Sequence, residues 1–292
     1  MAIYTLCSAS GSPGVSTTAL GLALTWPRPV ILVEADPSGS QAILSGYYRG
    51  SKEPAPGQKA IPGLLELSVE ARQGRLQEQL PLMLLDEPNT NAKFLLGTAS
   101  HVQNVVLTRL WDDLLLELQT LTSTTGQDVI VDVGRLGLEG SPAPFVRRSD
   151  ATLLFTRSTV RDFVGARSWA HSLIEGSAVG RYVGAVVVGP GRPYGEREAS
   201  LAMGVRAGSD ITKMPVLGAV KWAPSHAAVL SDGERFPYRF GSDGRKRKAF
   251  HHDSYMRSIR ALGEAARTQV QRIEEEMGAP TASDLAQWEG TR

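Results

Sequence analysis

The chain holds a single cysteine, Cys7, among 292 residues, so no intrachain disulfide can form and a reducing, cytoplasmic setting is expected. No run of about 18 apolar residues occurs, so no transmembrane helix is expected. Residues 1–10, "MAIYTLCSAS", lack a charged segment ahead of a long apolar one, and no signal peptide is read there. Neither charge sign dominates: 31 Lys and Arg stand against 30 Asp and Glu, for a net charge of +1. That balance argues against a surface made to coat nucleic acid and leaves room only for a local basic patch. The sharpest absence is local. Residues 7–40, "CSASGSPGVSTTALGLALTWPRPVILVEADPSGS", are laid out like a phosphate-binding loop, with no lysine anywhere in them.

What is present alternates between strand and helix. Near-continuous apolar runs occur at 3–9, 30–35, 128–134, 151–157, 182–189 and 215–222, with a further candidate at 93–99. Such runs suit strands covered on both faces. Helical stretches are read at 17–25, 63–73, 105–120, 159–175, 196–205 and 227–230, and a long amphipathic segment at 253–277 repeats its apolar residues every three or four positions. Alternation of this kind predicts a three-layer, doubly wound α/β fold with a mainly parallel sheet of about seven strands. Residues 1–277 read as one domain. The Pro/Gly-rich segment 49–63 reads as a surface loop inside it, and 278–292 as a poorly ordered tail.

A phosphate loop works through backbone N–H groups that converge at a helix N-terminus, with glycines letting the backbone curl. A lysine then neutralises phosphate charge, and a Ser or Thr hydroxyl ligates Mg²⁺. Here the stretch is Gly11-Ser12-Pro13-Gly14-Val15-Ser16-Thr17-Thr18. Counted without gaps from Gly11, Thr17 takes the lysine position and Thr18 the magnesium hydroxyl. With a two-residue deletion of the Gly-Lys pair instead, Ser16 becomes that hydroxyl. Both registers lack the lysine. Asp36 follows the second strand, and Asp132 ends the "DVIVDVG" strand. In an open α/β sheet the ligand crevice lies at the carboxyl ends of strands, so the loop, Asp36 and Asp132 are expected at one edge.

Taken together, these segments resemble the ParA/MinD family of P-loop ATPases, over residues 2–270. "SASGSPGVSTTALGLAL" looks like that family's deviant Walker A loop and first helix. "VILVEADPSGS" is similar to its second strand, and "PGLLEL" to its next helix. "DVIVDVG" is similar to its Walker B strand, and "PVLGAVKWAPSHAAVLSDG" to a late strand and helix. The lysine-free loop further resembles a degenerate MinD-like subgroup of high-GC Gram-positive bacteria. The resemblance implies a SIMIBI-like P-loop NTPase fold that binds ATP with Mg²⁺ and forms a nucleotide-driven sandwich homodimer. It implies Asp36 as the residue that orients the attacking water, and Asp132 as the group behind the ligands of Mg²⁺. It departs from the family at both loop lysines, for which Ser12 stands at the early position, and at the adenine-reading asparagine, replaced by Gly189.

A charge-assisted hydrogen bond is worth about 1.5–3 kcal/mol, so its loss weakens binding on the order of ten- to a hundred-fold. Catalysis loses more, since a cation aimed at the transferring phosphoryl group is worth about 10³–10⁵ in rate. The reading is therefore a positioning or assembly factor acting on a protein cargo or complex, with weak ATP binding and negligible hydrolysis. The alternative is an active ATPase driving partition, or localising pilus or secretion machinery, through the dimer. Arg245, Lys246, Arg247 and Lys248 form the densest basic run and could meet DNA phosphates or an anionic membrane surface. The last helix ends "RIEEEMG" and is expected to pack on the sheet rather than anchor a membrane. His251 and His252 lack spaced partner ligands, so no metal site is expected there.

Overall fold

The computed structural model describes residues 1–11, 13–52, 59–176, 180–189, 194–207, 210–235 and 250–278. The chain begins with β1 (Ile3–Ser8), α1 (Val15–Thr25) and β2 (Val30–Glu34). A π-helical turn at Ala42–Tyr47 leads to α2 (Leu64–Arg72), α3 (Leu76–Gln79), β3 (Leu85–Asp86) and β4 (Ala92–Leu95). Next come α4 (His101–Leu107), α5 (Leu110–Thr125), β5 (Asp128–Arg135), α6 (Ala143–Arg148), β6 (Ala151–Arg157) and α7 (Val160–Glu175). The chain continues through β7 (Tyr182–Gly189), α8 (Glu196–Ala202), β8 (Val205–Ala207), β9 (Asp210–Thr212) and β10 (Val216–Lys221) to α9 (Pro224–Ser231) and α10 (Ser254–Glu276).

The main sheet has eight strands in the order β10-β7-β6-β1-β5-β2-β4-β3, and only the edge pair β3–β4 is antiparallel. Its central strands β1, β2, β5 and β6 are buried almost throughout because both faces are covered. In β1, Ile3 and Cys7 join the cluster built on α5 and α7. Tyr4 and Leu6 join the opposite cluster, built on α1 and α10. The period-two alternation of a strand thus feeds two cores at once. Cys7 donates to the carbonyl of Leu153, and burial pushes its thiol up to about 12.

The fold class is the one read from sequence, with local differences. The extra strand is the two-residue β3. The helix expected over 105–120 is two helices, α4 and α5. The helix expected over 196–205 stops at Ala202, and the β8–β9 hairpin follows. Helix α1 begins at Val15, two residues before the expected start. Helix α10 packs its face of Tyr255, Met256, Ile259, Leu262, Ala266 and Val270 into the core. A Cβ on Gly21 would lie 2.8 Å from Ile259, and one on Gly263 would lie 2.9 Å from Leu22, so these two glycines set how closely α1 and α10 approach. No helix among the described residues is long and apolar enough to cross a membrane. Residues 245–248 and the tail 279–292 lie outside the described residues.

Candidate phosphate-binding site

Strand β1 delivers the chain to the carboxyl edge of the sheet. Gly14 ends the loop as the residue before α1, at φ 92°, a left-handed conformation that costs glycine nothing. Nothing lies within 4 Å of where a Cβ would sit on Gly11 or Gly14, so the loop faces open space. Helix α1 has no side-chain cap and no acidic residue in its first turn. Its leading N–H groups therefore keep the positive end of the helix without an internal acceptor side chain. Val15 turns into the core instead of toward the loop. Ser12, also expected at the site, is outside the described residues.

Beneath the loop, β1 and β5 change register. Leu6 pairs with Asp132 and Cys7 with Gly134, so Val133 is the extra residue of a bulge. The bulge re-aims the end of β5. Asp132 accepts from the N–H of Gly134 at 2.9 Å and lines one small cavity with Ser16. Asp36 turns its carboxylate against the backbone of Gly134 and accepts from the N–H of Ser38 at 2.8 Å. The structure thus brings Ser16, Asp36 and Asp132 together. Thr18 lies elsewhere, buried on the other flank of the loop.

A third carboxylate sits beside them. Glu34, the last residue of β2, is buried and accepts from the N–H groups of Gly97 at 2.9 Å and Ile43 at 3.3 Å. Burial, opposed by these bonds, raises its pKa. Burial first and then the charge of Asp36 push Asp132 up to about 7, while the Ser16 hydroxyl and the Gly134 N–H pull it down. Among the described residues the leading contributions to both shifts come from burial, hydrogen bonds and neighbouring carboxylates. A hydroxyl and a carboxylate are hard oxygen donors of the kind Mg²⁺ takes alongside phosphate oxygens and water. Among the described residues no group of three His, Cys, Asp or Glu side chains is placed to hold a metal ion unaided. The donor set fits magnesium only together with the ligand's own oxygens.

Two cavities adjoin the loop. One, of about 60 Å³, lies between Ser16, Thr17, Glu34 and Asp132. The other, of about 250 Å³, runs from Pro13, Gly14, Thr17 and Thr18 to Lys221 and Trp222 at the end of β10. The Arg157 guanidinium stands 5.7 Å from the Trp222 ring. Sequence reading missed Glu34, Gly134, Lys221 and Trp222. An acid closing the apolar run "VILVE" was the signal for Glu34. Lys221 and Trp222 join the loop only through the order of the strands.

The geometry defines a P-loop-type α/β fold, and solved structures of that kind match nearly the whole chain. Cell division ATPase MinD of Pyrococcus furiosus aligns with TM-score 0.63 at 14% identity, covering 92% of this chain and 99% of that one. The ParA family ATPase of Chlorobium tepidum aligns with TM-score 0.60 at 12% identity, covering 90% and 98%. The septum site-determining protein MinD of Pyrococcus horikoshii, complexed with Mg-ADP, aligns with TM-score 0.61 at 13% identity, covering 93% and 98%. At these identities the likeness is one of fold. No protein-family model matches the sequence, and no curated protein matches it.

Proposed function

We propose that the chain is a degenerate ParA/MinD-like protein that holds a magnesium-bound nucleoside di- or triphosphate weakly on residues 11–18, turns it over negligibly, and acts through protein contacts. The observation that carries this reading is the placement of Ser16 and Asp132 on one small cavity at the base of an uncapped glycine loop. It makes Ser16 the magnesium hydroxyl, in line with one of the two sequence registers. The residue ahead of that hydroxyl, Val15, packs in the core and offers the phosphates no cation. The bound MgADP of the Pyrococcus horikoshii MinD supports the choice of ligand.

In this reading the loop N–H groups and the α1 dipole would bind the phosphates, Ser16 would be a ligand of the metal, and Asp132 would stand behind its ligands. Asp36 would orient an attacking water. Without a loop cation the charge that develops on the phosphoryl oxygens is unmet, so binding outlasts catalysis. Val102, Val105 and Val106 on α4 and Val160 and Val164 on α7 are exposed. Such exposed apolar side chains support a homodimer or a protein cargo covering one of these helices. Calorimetric titration with Mg-ADP and Mg-ATP tests the reading. Weak saturable binding is the expected result, and no binding of either nucleotide overturns it.

A further inference from the structure

We propose that Lys221, at the end of β10, contacts the phosphate chain of the bound nucleotide and strengthens its ground-state binding, without reaching the transferring phosphoryl group. This rests on the nucleotide reading above and names a residue that reading does not require. Lys221 lines the same cavity of about 250 Å³ as Pro13, Gly14, Thr17 and Thr18. Its side chain is exposed, and its ammonium donates to the hydroxyl of Ser254 at 2.8 Å.

Two other cations lie away from this cavity and are paired. Arg28 pairs with Asp128 at 2.7 Å at the opposite end of β5, and Lys93 with Asp86 at 3.2 Å at the sheet edge. Among the described residues Lys221 forms no ion pair, and the nearby carboxylate of Asp253 faces His226 at 3.5 Å instead. A neutral hydroxyl holds the ammonium without cancelling its charge. The four-carbon stem leaves it free to exchange Ser254 for an anion.

The rest of the cavity suits the same ligand. Trp222, next in the chain, is 46% exposed there, and Val188 and Ala223 add apolar wall. An apolar side with an exposed ring, and a polar side with backbone N–H groups and an ammonium, match a nucleoside diphosphate: base against the ring, phosphates toward Lys221 and Gly14.

The test is calorimetric titration of the full chain with Mg-ADP and, separately, with adenosine. Wild type, Lys221→Met, Lys221→Arg and the distant Arg272→Met are compared, with thermal unfolding to establish that each is folded. Lys221→Met should weaken Mg-ADP about ten- to a hundred-fold and leave adenosine unchanged, since a charge-assisted contact to phosphate is lost. Lys221→Arg should keep most of the affinity, and Arg272→Met all of it. Wild-type binding of Mg-ADP with Lys221→Met equal to it overturns the role of Lys221 and leaves the nucleotide reading standing. Equal weakening of Mg-ADP and adenosine also overturns it, because Lys221 would then be supporting the cavity wall. No binding by wild type overturns both.

Discussion

A Cβ placed on Gly134 would lie 2.2 Å from Cγ of Asp36. The carboxylate therefore rests directly on the bulged backbone of β5, at a residue whose φ of +63° already favours glycine. Gly134→Ala must both strain that backbone and push Asp36 out of the crevice. It should destabilise the protein by about 1–3 kcal/mol, read from the urea midpoint. An unchanged midpoint would mean that the two groups are not in contact.

The register of the loop is open to a direct test. Ser16→Ala removes a hydroxyl from the cavity that Asp132 lines, whereas Thr18→Val alters only the far flank of the loop. Nucleotide affinity in Ser16→Ala should lose most of its dependence on magnesium, while Thr18→Val should keep it. The measurement is a titration with and without chelator, and the reverse pattern would restore Thr18 as the metal's hydroxyl.

Asp132 should set a pH dependence of stability. Its pKa rises from the usual 3.8 to about 7 in the folded protein. Below pH 4 both states hold the proton and burial costs nothing. Between pH 4 and 7 the unfolded chain loses the proton while the folded one keeps it, so the contribution of Asp132 to stability falls as pH rises. Above 7 the cost is complete, on the order of 4 kcal/mol. Asp132→Asn should therefore gain stability relative to wild type from pH 4 to 7 and hold that gain above it. Chemical denaturation at several pH values checks this, and a gap that shrinks with pH would contradict it.

Glu34 should act as a clasp. Its carboxylate satisfies the N–H groups of Gly97 and Ile43, tying the end of β4 to the π-helical turn. Glu34→Ala leaves both without that partner and should cost about 2–5 kcal/mol. Hydrogen exchange at those two amides should quicken far more than in β1 or β5. Uniform quickening across the sheet would assign Glu34 to general stability instead.

The central strands were legible because parallel strands buried on both faces cannot alternate, so "IYTLCS", "VILVE" and "ATLLFTR" announce themselves. The loop was legible because Gly11 and Gly14 frame a helix start. Other features were hidden for physical reasons. Strand β3 is two residues long and carries no period. The break between α4 and α5 falls at Thr108 and Arg109, both near helical conformation, so no propensity marks it. Gly134 reads as one more small residue until the bulge places it under Asp36. Lys221 and Trp222 sit more than 200 positions from Gly14, and only the sheet order brings them to one cavity.

The central claim is that this site holds a nucleotide without turning it over. Steady-state phosphate release from ATP with magnesium, run beside Asp36→Ala, tests it most directly. The account predicts that wild type and Asp36→Ala release phosphate at the same background rate. Sustained turnover by wild type that disappears in Asp36→Ala would contradict it and show that a cation outside the loop completes the catalytic site.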